Sequence, residues 1–241
     1  MSNQTQRPIV LFTGRFGSGK TETALNYALG LVDGSAPGYE KVAGKNGSGP
    51  ERVVLVDLDI VTPYFRSREK AEPMQARGVT VISPSIIGQH LHTPAITPQI
   101  LGAIERPGQV VVLDVGGDKQ GARALGQYSH AIHRRGYTMH FVVNPYRPFT
   151  DTLQGLESSI AEIESSARLQ VSSLVSNPNL IGSTTAADIL QGHAQIESFA
   201  RELGLPITFV CIQDRWAETL DLDAISQPVL RLHRNFVQPW E

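Results

Sequence analysis

A glycine-rich segment near the start of the chain constrains its fold more than any other feature. Residues 14–21 have the sequence Gly-Arg-Phe-Gly-Ser-Gly-Lys-Thr, which matches the pattern G-x-x-x-x-G-K-[ST]. The segment follows a short apolar run and precedes a stretch with helical spacing, which is the strand, loop and helix context that the pattern requires. It therefore predicts a loop whose backbone amides surround phosphate groups at a helix N-terminus.

Each residue of this loop has a predicted part in holding a nucleotide. The glycines let the backbone fold around the phosphates, Lys20 is expected to reach the β and γ phosphates, and the Thr21 hydroxyl is expected to bind Mg²⁺. The predicted nucleotide-contacting residues here are Gly14, Phe16, Gly17, Ser18, Gly19, Lys20, Thr21 and Glu22. A dinucleotide fold is the nearest alternative, but the glycines do not follow the order G-x-G-x-x-G, so we set it aside.

Seven short apolar runs alternate with turn residues and helical segments along the chain. The predicted strands are residues 8–13, 52–58, 79–83, 110–114, 139–144, 171–175 and 207–212. Most are apolar throughout, as expected when helices cover both faces of a sheet. The pattern predicts a three-layer α/β domain over residues 1–241, with a doubly wound, mainly parallel sheet of the P-loop NTPase type. Residues 33–50 are rich in glycine and poor in apolar residues, which predicts a flexible surface loop.

Composition excludes several other classes of protein. The net charge of -2 argues against a basic nucleic-acid coat, so we expect no nucleic-acid partner. A single cysteine, Cys211, excludes an internal disulfide and a multi-cysteine metal site, and its apolar surroundings place it in the core. No apolar stretch has the roughly 18 residues of a membrane span, and the N-terminus lacks a secretory signal pattern. We therefore expect a cytoplasmic protein.

Acidic residues close two of the predicted strands. Asp57 and Asp59 end the second, and Asp114 ends the fourth before Val-Gly-Gly-Asp. Open α/β sheets bind ligands at the carboxyl ends of their strands, so Asp57 and Asp59 are expected to face the phosphates. Asp114 ends an apolar run in the manner of a Walker B strand and is a candidate Mg²⁺ ligand together with Thr21. Gly117 is predicted to approach the γ-phosphate, and Asp118 is either a helix N-cap or part of the site.

The order of these motifs resembles the MinD/ParA/nitrogenase iron protein branch of P-loop NTPases, a SIMIBI-class family with a deviant Walker A motif. The glycine-rich loop, Asp57-Leu58-Asp59-Ile60 and Asp114-Val115-Gly116-Gly117 carry the resemblance. It implies that Asp57 supports Mg²⁺, that Asp59 orients the attacking water, and that the protein is an ATPase acting as a nucleotide switch through an ATP-dependent homodimer. The partner would be another protein or a small-molecule substrate.

The resemblance also assigns Arg15, Asn177 and Pro178. The family has a second lysine after the first glycine that reaches the partner's nucleotide, and Arg15 occupies that position here, so it is a candidate catalytic residue acting in trans. Asn177, followed by Pro178, stands where the family places an asparagine against the adenine edge. The guanine-selecting pattern N-K-x-D is absent at 177–180, which favours ATP over GTP.

Three other functions stay open from the sequence. One is an ATP-dependent kinase or ligase resembling dethiobiotin synthetase, with residues 64–68 and 84–92 forming a substrate pocket. The second is a metallochaperone-like GTPase, and the third is a nucleotide sensor without turnover. Less specific candidates are a switch role for Arg66 or Arg68, a site-lining role for 144–148, and a metal site at His90 and His92, for which a proline-rich loop is the simpler explanation.

Overall fold

A computed structural model describes residues 9–38, 52–59, 68–83 and 97–235. The strands are Ile9–Thr13 (β1), Arg52–Leu58 (β2), Val79–Ile82 (β3), Gln109–Val115 (β4), Tyr137–Val143 (β5), Ser173–Ser176 (β6), Ile207–Gln213 (β7) and Val229–Leu232 (β8). The helices are Lys20–Asp33 (α1), Arg68–Ala76 (α2), Pro98–Glu105 (α3), Lys119–Gly126 (α4), Ser129–Arg135 (α5), Leu153–Ala167 (α6), Ala186–Leu203 (α7) and Asp214–Ala217 (α8).

The strands form one parallel sheet in the order β3-β2-β4-β1-β5-β6-β7-β8. This confirms the predicted doubly wound α/β fold. β1 lies inside the sheet between β4 and β5, so the loop that follows it emerges between the ends of its neighbours. Among the described helices, none combines the length and apolar character that a bilayer span requires.

Alternate side chains of each central strand pack into cores on opposite faces of the sheet. In β1, Ile9 and Leu11 belong to the core beneath α4 and α6, whereas Val10 and Phe12 belong to the core beneath α1. This two-sided burial explains why the strands read as continuous apolar runs. Cys211 lies in the second core, as expected, and burial raises the pKa of its thiol to about 12.

An aromatic cluster strengthens the core on the α1 side. The His140 ring stacks on Phe12 at 5.1 Å between ring centroids and meets Phe209 edge-on at 5.8 Å. Its Nδ1 lies 2.7 Å from the Ser173 hydroxyl. Burial lowers the pKa of His140 to about 4, so the ring is neutral at physiological pH.

Several element boundaries differ from the sequence prediction. β5 ends at Val143 rather than at residue 144, and β6 is shifted towards Ser176. The sequence missed β8, whose short alternating pattern at the sheet edge is a weak signal. The predicted loop begins inside α1, since Asp33 is helical and Ala36 is buried; residues 39–51 lie outside the described part of the chain.

Candidate phosphate-binding site

The strand order brings the predicted site residues to one edge of the sheet. The loop after β1 lies between two groups of side chains. The ends of β2 and β4 supply the carboxylates on one flank, because Asp57 and Asp114 are register partners. The ends of β5 and β6 supply Asn144 and Asn177 on the other flank.

The loop at 14–19 adopts a backbone conformation that depends on glycine. Gly14, Gly17 and Gly19 have φ angles of 152°, 78° and 83°. A Cβ on Gly14 would lie 2.4 Å from the Val142 carbonyl oxygen, so no larger residue fits there. α1 begins at Lys20 directly after Gly19, which places the helix N-terminus at the mouth of the loop, where backbone N–H groups and the helix dipole favour an anion.

Lys20 lies among the three strand-end carboxylates. Its buried ammonium group donates a hydrogen bond to Asp59 Oδ2. Burial by itself lowers the pKa of Lys20, but the charges of Asp114, Asp59 and Asp57 outweigh it and raise the pKa above its ordinary value. Lys20 is therefore a fixed cation at the base of the loop, and an incoming phosphate would compete with Asp59 for it.

The carboxylates of Asp57 and Asp114 are suited to a divalent cation. Burial, reinforced by the Asp114 charge, raises the pKa of Asp57 to about 8. Burial also raises the pKa of Asp114, while Lys20 and then Thr21 act in the opposite direction. The Asp114 carboxylate is therefore a buried acceptor beside the Lys20 ammonium group and the Thr21 hydroxyl.

These residues fit Mg²⁺ held jointly with a nucleotide. Among the described residues there is no cluster of three or more His, Cys, Asp and Glu side chains arranged to hold a metal unaided. Mg²⁺ is usually bound through one or two carboxylates together with phosphate oxygens and water, so such a cage is not required. Thr21, Asp57 and Asp114 carry the oxygen atoms that could hold Mg²⁺ in such an arrangement.

Two asparagines brace the loop from the opposite flank. The Asn177 amide donates to the Ser18 carbonyl oxygen at 2.6 Å, and the Asn144 amide lies 3.4 Å from the Gly17 carbonyl oxygen and 2.8 Å from that of Asn179. Asn177, expected against a base, thus binds the loop backbone here. Asn144 has a role that the sequence indicated only as general lining of the site.

Gly117 packs directly against the loop, as its predicted position near the γ-phosphate requires. A Cβ at Gly117 would lie 1.8 Å from the Gly14 carbonyl oxygen. A Cβ on the neighbouring Gly116 would lie 3.0 Å from Gly121 Cα, so the segment after β4 is confined between the loop and α4. Asp118 accepts a hydrogen bond from the Gly121 amide at 2.8 Å and is the N-cap of α4, which settles its role in favour of the capping alternative.

Arg15 is held within its own chain. Its guanidinium group donates to Ser159 Oγ at 2.8 Å and to Glu162 Oε2 at 2.5 Å, and it lies 5.5 Å from the centre of the Phe149 ring. Phe16 beside it is 83% exposed. The Arg15 side chain therefore lies against α6, a contact that nothing in the sequence indicated.

Glu22 and Pro178, both predicted to contact the nucleotide, have other neighbours. The Glu22 carboxylate accepts hydrogen bonds from the Asn235 backbone amide at 2.8 Å and from its side-chain amide at 3.0 Å. Pro178 is buried against Gly192 of α7. Of the predicted candidates at 64–68 and 84–92, residues 64–67 with Arg66, and 84–92 with His90 and His92, lie outside the described residues. Arg68 is the first residue of α2.

Comparison with known proteins supports the fold. Neither a family model nor a curated protein matches the chain. Among solved structures, the cell division protein FtsY from Thermotoga maritima is 21% identical, with a TM-score of 0.52 over 88% of this chain and 65% of its own. Chloroplast FtsY from Physcomitrella patens is 16% identical, with a TM-score of 0.53 over 86% of this chain and 58% of its own.

The chain has the α/β fold of the P-loop nucleoside triphosphatases. The matched structures are FtsY proteins, whereas the sequence motifs resemble the MinD/ParA branch, so this likeness supports the fold alone. The chain spans less than two thirds of the length of these two structures. The MinD/ParA-like assignment, the ATP preference and the homodimer stay predictions.

Proposed function

We propose that this protein binds and hydrolyses a nucleoside triphosphate with Mg²⁺ and acts as a nucleotide switch of the MinD/ParA-like type. The observation that carries the proposal is the position of Lys20, which stands at the N-terminus of α1 beneath a glycine loop and faces three strand-end carboxylates. A buried lysine among carboxylates at an anion-binding helix end suits phosphate and a divalent cation together.

In this proposal, catalysis consists of positioning and charge stabilisation. Lys20 and the loop amides hold the phosphates, and Thr21, Asp57 and Asp114 hold Mg²⁺, which supplies charge neutralisation at the phosphate oxygens. Arrival of the phosphates transfers Lys20 from Asp59 to the nucleotide. The Asp59 carboxylate is then released from its ion pair and is available to orient the attacking water.

ATP is the proposed nucleotide, and GTP is the second candidate. The absence of N-K-x-D at 177–180 favours ATP. The signal recognition particle receptor FtsY from Elizabethkingia anophelis, solved in complex with GDP, resembles the chain with a TM-score of 0.50 at 13% identity over 88% of this chain and 59% of its own, and that likeness favours GTP. Competition between ATP and GTP for the wild-type protein decides between them.

The homodimer assigns Arg15 a catalytic role towards the nucleotide of a second copy. For this the guanidinium must leave Glu162 and Ser159 of its own chain. Molecular mass in solution, measured without nucleotide, with the diphosphate and with a non-hydrolysable triphosphate, tests this part. Dimerisation only with triphosphate, lost in Arg15→Ala, is expected; a constant mass would favour the small-molecule kinase or ligase alternative.

Lys20→Ala tests the central assignment. We expect calorimetry to show loss of tight triphosphate binding, whereas Arg201→Ala, which removes an exposed cation on α7, retains it. Asp59→Ala is expected to bind nucleotide and lose turnover. Unchanged affinity in Lys20→Ala would remove the phosphate site from residues 14–21, and normal turnover in Asp59→Ala would remove the water-orienting role.

A further inference from the structure

A groove of about 380 Å³ lies between α4 and α6, apart from the phosphate-binding loop. It is lined chiefly by Lys119, Arg123, Gln127, Ser165, Ser166 and Arg168. None of these residues belongs to the candidate phosphate-binding site. We propose that this groove is a second binding site, which takes a small molecule carrying one or more phosphate groups.

The lining of the groove is positively charged. Three cations line it and no carboxylate does. Among the described residues, Lys119, Arg123 and Arg168 form no ion pair, whereas Arg15 in the glycine loop and Arg134 on α5 each pair with a glutamate. Three neighbouring positive charges repel one another, and a bound anion would offset that repulsion. Such a concentration is notable in a chain whose net charge is -2.

The three cations come from both walls of the groove. Lys119 and Arg123 are four residues apart on α4 and therefore share one face of the helix. Arg168 closes α6 with φ 57° and ψ 34°, a left-handed conformation that is costly for a residue other than glycine. Its backbone is fixed by an N–H bond to the Glu164 carbonyl oxygen at 2.8 Å and by the His133 ring, 3.1 Å from its carbonyl oxygen.

The two helices approach closely at the edge of the groove. A Cβ on Gly126 would lie 2.7 Å from the Ser166 carbonyl oxygen, so α4 and α6 meet backbone to backbone there. The N-terminus of α4 is fixed by the Asp118 cap. The groove is thus a feature of two packed helices rather than of a loose surface loop, and its cations converge on one volume.

The donor set suits the oxygen atoms of a phosphate group. Arginine forks bind phosphate oxygens in pairs, lysine adds a point charge, and the serine hydroxyls and the Gln127 amide supply neutral donors. A volume of about 380 Å³ falls in the range of small-molecule pockets. The site therefore suits a phosphorylated small molecule.

Pyrophosphate is the probe, with calorimetry as the measurement. We expect wild-type protein to bind pyrophosphate at two sites and Lys20→Ala to retain one. In the Lys20→Ala background, Arg123→Gln with Arg168→Gln should weaken that remaining site at least tenfold. Arg106→Gln with Arg201→Gln removes two exposed cations outside the groove and should leave it intact. Lys119→Gln changes an exposed side chain and is the variant least able to disturb folding. It should weaken pyrophosphate binding in the groove by a smaller factor than the double arginine variant.

Three results would overturn the proposal. They are loss of all pyrophosphate binding in folded Lys20→Ala, equal affinity in the groove variant and its control, and binding of a phosphoserine peptide where pyrophosphate does not bind. Retention of the groove site with no binding at the loop would instead refute the proposed nucleotide function and leave the groove assignment standing. Thermal unfolding of every variant establishes that it is folded.

Discussion

Replacement of Gly117 by alanine tests whether the close approach of two loops is required for turnover. The added Cβ would lie 1.8 Å from the Gly14 carbonyl oxygen, 2.6 Å from its carbonyl carbon and 3.1 Å from Arg15 Cα. All three are backbone atoms, so no side chain can rotate away. Since real Cβ contacts essentially never fall below 3.0 Å, the two loops must separate by at least 3.0 − 1.8 = 1.2 Å.

A shift of this size should reduce turnover much more than it affects folding. A misplacement of about 1 Å in a catalytic arrangement costs on the order of 10²-fold in rate, which corresponds to about 2.7 kcal/mol of activation free energy. We expect Gly117→Ala to lower the rate of phosphate release by that factor at saturating nucleotide and Mg²⁺. Thermal unfolding establishes whether the variant retains its fold.

Gly102→Ala is the matched control. An added Cβ at Gly102, inside α3, meets nothing within 4 Å. Because alanine is the better helix former, this change should stabilise the protein by about 0.5–1 kcal/mol and leave turnover unchanged. Turnover in Gly117→Ala within twofold of wild type would refute the requirement for contact between the segment after β4 and the glycine loop.

Three further predictions follow from buried polar groups. Asn177→Ala leaves the Ser18 carbonyl oxygen without its amide donor and should destabilise the protein by about 1–3 kcal/mol in denaturant unfolding; unchanged stability would refute the bracing role. Burial lowers the pKa of His140 from 6.5 to about 4, so its contribution to stability is complete above pH 6.5 and falls by about 3 kcal/mol as the pH drops to 4. His140→Phe should flatten that pH dependence, whereas Phe209→Leu should lower stability and keep the slope. Because burial raises the pKa of Asp57 to about 8, binding of nucleotide with Mg²⁺ at pH 7 should release up to about one proton, seen as a buffer-dependent heat that Asp57→Asn removes; a buffer-independent heat in wild type would contradict this.

Local patterns predicted the layers of the fold and one half of the site. Apolar runs buried on both faces identified seven of the strands. The meeting of the strand-end carboxylates could also be predicted, because parallel strands in one sheet place their carboxyl ends at the same edge.

The other half of the site depends on contacts between residues far apart in the chain. Asn177 lies 159 residues from the carbonyl that it binds, and Arg15 lies 147 residues from Glu162. Both side chains carry groups that can bind a ligand or bind another part of the protein. Residue type alone could therefore not distinguish a ligand contact from an internal contact. β8 was missed because a short edge strand has little periodicity to detect.

The glycine loop, the parallel sheet and the acidic strand ends could all be predicted from local sequence, because backbone conformation and burial periodicity are encoded over a few neighbouring residues. The side chains that flank the loop depend on the order of the strands in the folded sheet. The order β2-β4-β1-β5-β6 places carboxylates on one side and asparagines on the other. It also brings α4 and α6 together to form the basic groove. These arrangements follow from the packing of the sheet, in which neighbours in space are distant in sequence.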